Sequence, residues 1–496
     1  MAGAGAGAMT TPQVDWFALA PILVLAGSGC VSLLGGVFAP AGIRRAVAFA
    51  VTALGFAGAF ALSAAVFAES ERGEGIVADA MRRDRWYALA ACIVCGAGLL
   101  ATLVAWGDRW GAEESAGEYF ALLSVAAAGM VFLVGAGNLI TIFIGLEWFS
   151  IALYILCAVK TEQPAGLEAG LKYLIVGSFG SAVLLFGSAL VYGATGEIEL
   201  GAIAGSAAAG DRLAVAGLAM ILVGLGFKAS AAPFHMWTPD VYQGAPTPVT
   251  AFMSAATKAV ALVLAYRVLV TAFPQEEGFW TVTVGAIAVA SLAVGNLAAL
   301  VQRDVKRLLA YSSISHAGFM LIPVAAASEL GGRALLFYLV PYSAMSIGAF
   351  AVVAAREREL GRSVDLDALA GMGWERPFLG IALWVFMLGF AGLPLTGGFV
   401  GKLYVFSAAY DSGMLWLVIA GVVATAVSLY YYLGVVRALY MRIGPELRPA
   451  VAGGAPPREW TLHTAVGVAL AVTVGSFFGV QPLIELARDA ATALPF

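Results

Sequence analysis

Five ionisable residues lie within long apolar stretches of this sequence. They are one acid and four lysines: Glu147, Lys172, Lys228, Lys258 and Lys402. A lysine at the centre of a membrane helix costs roughly 3 kcal/mol, which a leucine would avoid. One carboxylate cannot neutralise four lysines, so some of the lysines are neutral or are reached by water. Both conditions suit proton transfer, with paired charges that lock helices together as the alternative.

A lysine, a proline and a histidine interrupt one of these stretches, in the sequence "GFKASAAPFHMWTPD" at 226–240. A broken helix frees backbone carbonyls and amides, which a bilayer tolerates only where protein or a water-filled cavity satisfies them. We therefore expect Lys228 to lie at a hydrated interruption in the membrane. We expect His235 either to line the hydrated path or to bind loose backbone.

The interruption recurs later in the chain. The tripeptide "LGF" at 225–227 is followed by Lys228 and a proline, and "LGF" at 388–390 is followed by a proline and Lys402. Membrane transporters are often built from inverted repeats whose discontinuous helices carry the site near the midplane. The recurrence predicts two inverted five-helix repeats, each with a broken helix. Chance similarity among glycine-rich spans is the alternative.

The elements that must position these residues are membrane helices. The 496 residues are 61% apolar and 12% charged, whereas an average soluble domain is about 25% charged. About 20 apolar residues are needed for one helical crossing. The sequence therefore predicts an all-α polytopic membrane protein with about fourteen transmembrane helices, at 15–38, 44–68, 86–107, 118–137, 139–159, 168–194, 212–242, 247–270, 281–301, 305–327, 333–355, 377–409, 414–440 and 459–481.

These spans group into five segments along the chain. We predict an N-terminal tail (1–14), a three-helix segment (15–110), a first antiporter-like repeat (118–270), a second repeat (281–440) and a C-terminal helix with its tail (459–496). Lysine and arginine are roughly twice as frequent in the loops that face inward when both termini lie outside. The positive-inside rule therefore favours that orientation.

Other polar residues are expected to have structural roles. Arg267 lies near the end of its span and can snorkel to the interface, and Asp240 lies near a span end, where it is solvated. Cys92 and Cys95 form a C-x-x-C motif without the further ligands that an iron–sulfur cluster needs. All four cysteines are therefore expected to be small buried residues. No NADH, flavin, cluster or metal site and no nucleic-acid partner is expected in this chain.

The chain resembles the antiporter-like membrane subunits of respiratory complex I, the proton-pumping NADH:quinone oxidoreductase. Four stretches carry the resemblance: "GLEWFSIALYIL", "GLKYLIVGSFGSA", "GFKASAAPFHMWTPDVYQGAPTPVTAFMSAATKA" and "KRLLAYSSISHAGFM". It extends from about residue 15 to 481. The central motif with Lys258 is similar to the N type of these subunits. Lys402 departs from the M type, which is expected to carry a glutamate there, and the L type is longer.

This resemblance implies a proton-translocating subunit of a bacterial plasma-membrane complex. Other membrane and peripheral subunits, including further antiporter-like ones, are the expected partners. NADH, FMN, iron–sulfur clusters and quinone are expected in those partners and not in this chain. The resemblance also implies six site residues: Glu147 of the fifth helix, Lys172 of the sixth, Lys228 of the first broken helix, Lys258 of the eighth, His316 of the tenth and Lys402 of the second broken helix.

Within this family role, Glu147 and Lys228 would form a proton switch. Burial disfavours the charged form of a lysine, whereas a nearby carboxylate favours it. Moving Glu147 away from Lys228 would favour proton release, and restoring the pair would favour uptake. Lys258 and His316 would pass the proton along a hydrated axis, since histidine can change its charge near neutral pH.

Three alternatives stay open. The chain could instead be a subunit of a multi-subunit cation/proton antiporter, which shares this fold and the Glu–Lys pair. It could also be a membrane scaffold with structural ion pairs. Separately, Lys172 could form only a helix-end ion pair with Glu168, which lies four residues earlier on the same helix.

Overall fold

The computed structural model of the protein describes residues 14–70, 73–108, 115–206, 211–441 and 459–495. Helices make up most of these residues, which confirms the predicted all-α polytopic architecture. The predicted N-terminal tail lies outside the described residues except for Val14.

The described part of the chain contains nineteen α-helices and one short hairpin. The first ten helices and the hairpin are α1 (Trp16–Phe38), α2 (Arg44–Glu69), β1 (Glu74–Ile76), β2 (Met81–Arg83), α3 (Arg85–Ala105), α4 (Ser115–Val134), α5 (Leu139–Cys157), α6 (Pro164–Thr195), α7 (Leu200–Gly205), α8 (Arg212–Lys228), α9 (Thr238–Gly244) and α10 (Thr247–Ala272). The others are α11 (Glu277–Ala299), α12 (Val305–Ala325), α13 (Glu329–Leu360), α14 (Met372–Glu375), α15 (Pro377–Ala391), α16 (Gly397–Asp411), α17 (Leu415–Met441), α18 (Trp460–Phe478) and α19 (Val480–Ala491). The antiparallel hairpin β1–β2 forms between the second and third predicted spans.

Twelve of the described helices are long and apolar enough to cross a membrane. The predicted seventh and twelfth spans are each divided in two, as α8 with α9 and as α15 with α16. The twelve long helices and the two broken ones account for the fourteen predicted spans. The observed ends lie within a few residues of the predicted ones.

Each break has a local cause in the sequence. Helix α8 ends at Lys228, and Pro233, which has no backbone N–H for a helical hydrogen bond, lies in the connection to α9. Helix α15 ends where Gly392 adopts a left-handed conformation, with φ +78°, that favours glycine. A side chain on Gly392 would also collide with Lys402, whose Cδ lies 2.7 Å from the position of an added Cβ. Gly392 thus both ends the helix and makes room for the lysine.

The core of the protein lies around α10, α12 and α13. Every residue of α10 except Thr271 is buried. Helix α10 packs against α3, α12 and α13. A helix that is buried on all sides belongs to the interior of a large protein or bundle. Lys258 on α10 and His316 on α12 are therefore held away from lipid.

The C-terminal segment contains a second helix that the sequence analysis missed. Helix α18 ends at Phe478, and α19 packs against α13 and α3 with Ile484 and Ala487 buried. Its other side carries the exposed ion pair of Arg488 with Asp489. The apolar face of α19 is thus buried against protein, and its twelve residues are too few to span a membrane.

Arg267 does not reach the membrane interface, so this expectation was wrong. Its side chain is 1% exposed, and its Nη2 donates to Asp84 Oδ1 at 2.7 Å. Asp84 also caps α3, because it accepts a hydrogen bond from the backbone amide of Tyr87. The buried pair joins α10 to α3. A partner 183 residues earlier in the chain, which the sequence does not reveal, holds the guanidinium inside the protein.

We expect Asp84→Asn to lower the free energy of unfolding by roughly 3–5 kcal/mol, since it leaves a buried guanidinium without a counter-charge. Thermal unfolding of the detergent-solubilised protein measures this loss. Adding Arg267→Met should restore most of the stability, because the double variant removes both charges and keeps a side-chain cap on α3. Arg488→Met, which breaks an exposed pair, is the control and should change little. An unaltered unfolding temperature in Asp84→Asn would contradict a stabilising role for the buried pair.

Candidate functional site

Lys228 is buried at the C-terminal end of α8. Its side chain is 2% exposed, and its Nζ donates a hydrogen bond of 2.7 Å to Ser150 Oγ on α5. Ser150 lies three residues after Glu147, and therefore on the same face of α5. The lysine thus contacts a neutral hydroxyl one turn away from the expected carboxylate.

Glu147 makes no ion pair with Lys228 within the described part of the chain. Its Oε1 atom is buried without a hydrogen-bond partner. The two groups are therefore not in ion-pair contact in this structure, and the switch stays a prediction. Ser150 was missed by the sequence analysis, because a serine in an apolar span usually binds its own backbone.

Aromatic rings surround the Lys228 ammonium. The centroids of four rings lie between 5.1 and 5.6 Å from Nζ: those of Phe149, Tyr154, Tyr173 and Phe227. The faces of such rings attract a cation, most strongly where water is excluded. The rings and one hydroxyl, with no carboxylate in contact, accommodate the charge of Lys228.

The first helix break supplies a hydrogen-bond acceptor for Lys258. Lys258 lies on α10 and is 0% exposed, and its Nζ donates to the Ala229 carbonyl oxygen at 3.3 Å. Ala229 is the C-cap residue directly after α8. The last carbonyls of a helix have no partner within it and carry the negative end of the helix dipole. The carbonyl end of α8 therefore holds Lys258, which lies on another helix. Lys228, the last residue of α8, binds Ser150 instead.

The second helix break holds Lys402 by the same chemistry. Its side chain is 4% exposed, and Nζ donates to the carbonyl oxygens of Phe390 at 3.0 Å and Ala391 at 3.2 Å. These are the last two residues of α15. Thr425 Oγ1 lies 3.5 Å from Nζ, and the Phe319 ring lies 4.3 Å from it. In both halves of the chain, a broken helix presents its carbonyl end to a buried lysine.

His316 lies in a network of hydroxyl groups in the core. Its side chain is 1% exposed, Nδ1 bonds Tyr338 Oη at 2.8 Å, and Nε2 bonds Tyr432 Oη at 3.0 Å. Tyr432 Oη also bonds Ser312 Oγ. Both ring nitrogens thus have a partner that can donate or accept a proton. The tyrosines lie on α13 and α17, and nothing in the sequence linked them to the histidine.

Lys172 lies apart from the buried lysines. It is in the third turn of α6, its side chain is 43% exposed, and Nζ pairs with Glu168 at 2.6 Å and Asp240 at 2.8 Å. Asp240, expected to be solvated, also pairs with Arg307 at 2.6 Å. Two ion pairs therefore fix α9 between α6 and α12. The predicted Glu168 pair is present.

The remaining candidates have mixed outcomes. His235 is half-buried after the first break, and its Nδ1 has no hydrogen-bond partner. Cys95 and Cys157 are buried as expected, whereas Cys92 is half-buried and Cys30 is exposed on α1, so the expectation was wrong for those two. Among the described residues, no group of three or more histidines, cysteines and acids could hold a metal ion.

The relatives of this chain include subunit N of NADH-quinone oxidoreductases from several bacteria. The family model described as "NADH:quinone oxidoreductase/Mrp antiporter, TM" matches residues 136–428. NADH-quinone oxidoreductase subunit N of Salinibacter ruber is 46% identical over 373 residues, which cover 73% of this chain and 74% of the relative. Subunit N 1 of Herpetosiphon aurantiacus is 38% identical over 492 residues, which cover 98% of this chain and 97% of the relative.

Solved structures share the fold over nearly the whole chain. A chain of respiratory complex I from Thermus thermophilus with bound aureothin matches with a TM-score of 0.78 at 34% identity, covering 95% of this chain and 99% of that chain. A chain of the Mrp complex from Dietzia sp. matches with a TM-score of 0.82 at 24% identity, covering 96% of this chain and 97% of that chain. The second match concerns the fold alone.

Proposed function

Since the chain belongs to the NADH:quinone oxidoreductase/Mrp antiporter family, and its relatives are subunit N of NADH-quinone oxidoreductases, we propose that it translocates protons across the membrane as a subunit of respiratory complex I. The proposal places it in a bacterial plasma membrane. Its partners are the other membrane and peripheral subunits, including neighbouring antiporter-like ones. These partners carry NADH, FMN, iron–sulfur clusters and quinone, so redox energy reaches this chain from outside.

One observation carries the proposal. Lys228, Lys258 and Lys402 are 2%, 0% and 4% exposed, and each is hydrogen-bonded to neutral oxygen atoms. A lysine held by a carboxylate keeps its proton, whereas burial among neutral groups favours its release. A lysine used as a structural charge would need a counter-charge. The arrangement therefore supports lysines that bind and release protons.

We propose that a proton moves through the core from the first half of the chain to the second, passing the following residues in turn. Glu147 and Lys228 form the switch of the first half. Lys258 receives the proton at the first break, and His316 passes it through its tyrosine contacts. Lys402 is the last buried acceptor, at the second break. Lys172 has a positioning role in this proposal, because its ion pair with Asp240 holds α9.

Glu147→Gln should reduce NADH-driven proton pumping severalfold, because it removes the only charge of the switch that can attract a proton to Lys228. The complex should still assemble, since Glu147 makes no ion pair with any described residue that the change would break. Pumping in membrane vesicles, normalised to the assembled complex, measures the effect. Glu147→Asp keeps the charge on a shorter side chain and should be milder. Normal pumping by the assembled Gln variant would show that Glu147 has no role in the switch.

A second experiment separates complex I from the cation/proton antiporter alternative. The native membrane complex is purified and its other subunits are identified by mass spectrometry. Vesicles that contain it should acidify on addition of NADH in the absence of sodium. A purified complex that lacks NADH-oxidising subunits, or acidification that strictly requires sodium, would favour the antiporter.

A further inference from the structure

We propose that Glu357 and Lys306 form a second inner entrance for protons, from which buried hydroxyl groups along α10 lead to Lys258 without passing Lys228. This inference rests on the proposed function in proton translocation. It assigns a role to an acid and a lysine that the route through Glu147 does not use.

The entrance lies where α9, α10, α12 and α13 meet. Lys306, in the first turn of α12, donates from Nζ to the Ala245 carbonyl oxygen at 2.7 Å and lies 3.8 Å from Glu357 Oε1. The second Glu357 oxygen accepts a hydrogen bond from Thr247 Oγ1 at the start of α10. The Glu357 side chain is 23% exposed and that of Lys306 is 6% exposed. Glu357 can therefore exchange protons with water on the inner side, in the orientation that the positive-inside rule favours.

A row of hydroxyl groups follows one face of α10 from this pair to Lys258. Its members recur every three or four residues, which places them on one side of the helix: Thr247, Thr250, Ser254 and Thr257. They are 3%, 0%, 0% and 0% exposed. Eleven residues of helix, or about 16 Å, separate the first hydroxyl from Lys258. The row thus spans the inner half of the membrane.

The facing helices continue the polar lining. Ser346 on α13 donates to Ser254 Oγ at 2.8 Å. Among the described residues, four further hydroxyl oxygens next to this row are buried and make no hydrogen bond of ordinary geometry: those of Tyr242, Ser313, Tyr342 and Ser343. Leaving a buried hydroxyl unsatisfied is unfavourable. Ordered water is the usual partner of such groups in native proteins, so we infer that water links them.

The lining ends at the two central proton carriers. The Tyr342 ring lies 5.2 Å from the His316 ring, and Lys258 follows Thr257 directly on α10. A proton that binds Glu357 can move along the hydroxyls and water, each of which accepts one proton and passes on another, until Lys258 takes it up. Lys228, on α8, contacts α5 instead. The two inner approaches are therefore separate and meet at Lys258.

Thr250 and Thr257 also donate to carbonyls within or next to α10, as buried threonines commonly do. Thr250 bonds the Tyr242 and Pro246 carbonyls. A matched residue off the row therefore serves as the control. Thr102 on α3 is 0% exposed and bonds the Gly98 carbonyl at 2.7 Å. Thr250→Val and Thr102→Val remove the same hydroxyl at the same volume, one on the row and one away from it.

The test measures NADH-driven pumping of the whole complex in vesicles, normalised to the assembled complex. Thr250→Val should lower pumping severalfold, while Thr102→Val should leave it unchanged. Glu357→Gln keeps the hydrogen bond from Thr247 but removes the proton-binding carboxylate, so it should also lower pumping. Glu357→Asp keeps the acid on a shorter arm and should pump better than Glu357→Gln. If Glu357 has only a structural role, Glu357→Gln, which keeps the hydrogen bond from Thr247, should pump better than Glu357→Asp.

A double variant decides whether the entrance is separate. If the two approaches are independent, the double variant Glu147→Gln with Thr250→Val should pump clearly less than either single variant. If both residues lie on one path, the double variant should show no further loss of pumping. The absence of further loss would overturn the second entrance. Normal pumping in Thr250→Val and Glu357→Gln, with loss in Lys258→Met, would overturn it too and leave the proposed function intact. Normal pumping in all three would instead overturn the proposed function.

Discussion

Lys258→Met should abolish NADH-driven proton pumping in a complex that still assembles. In the proposed route, the approach through Lys228 and the approach along α10 meet at Lys258, so its loss could not be bypassed. Methionine keeps most of the volume of the side chain and removes the amine. A positioned group that takes up and releases a proton typically contributes about 100-fold or more to the rate. Pumping per assembled complex, measured by a pH-sensitive dye in vesicles, should therefore fall to background, and quinone reduction should slow with it.

The stability of this variant separates a proton carrier from a structural charge. Lys258 has one described acceptor, the Ala229 carbonyl. Losing it leaves one buried carbonyl unsatisfied, which costs about 1–3 kcal/mol. A broken buried ion pair would cost more, about 3–5 kcal/mol. Asp84→Asn is the matched control, because it should lose stability while each assembled complex pumps normally. Loss of the subunit from Lys258→Met complexes would indicate a structural charge, and normal pumping would remove Lys258 from the route.

Most of the fold could be predicted because a bilayer imposes a length and a composition on each crossing. The two broken helices were predictable for the same reason, since the prolines and Lys228 and Lys402 stand out against apolar sequence. Helix α19 was missed because its twelve residues are amphipathic and too short for a span. The hairpin β1–β2 was missed because three-residue strands give no periodic signal.

The burial of Lys228, Lys258 and Lys402 could be predicted, but the partners of the ionisable residues could not. Glu147 was expected beside Lys228, yet Ser150 binds the lysine because it is the next residue on that face of α5. Arg267 was expected at the interface, yet a distant Asp84 holds it in the core. Such partners depend on how helices far apart in sequence pack together. The residue types reveal that an ionisable group is buried, whereas only the fold shows which atom it contacts.

The breaks illustrate the same limit at the level of mechanism. The sequence located a lysine near each break and predicted that freed backbone groups need a partner. The structure pairs the first break with Lys258 on a neighbouring helix, and the second with Lys402 on the helix that follows it. A proton on either lysine is thus stabilised by the carbonyl end of a helix. Movement of a broken helix would change this stabilisation, which offers a physical means of coupling conformation to proton release.

Lys402→Arg tests this coupling at the second break and should abolish pumping as completely as Lys402→Met. Arginine keeps the positive charge and can still donate to the Phe390 and Ala391 carbonyls, but it does not release its proton in proteins. If Lys402 acts as a proton carrier, neither variant can complete the transfer, and both should assemble and lose NADH-driven pumping. If the carbonyls merely need a cation, the arginine variant should assemble and pump nearly normally, while the methionine variant should lose stability. Pumping and thermal unfolding measured on both variants therefore decide between the two roles. Full pumping in Lys402→Arg would rule out proton release from this residue, because the remaining charge could then act only by holding the end of α15 in place.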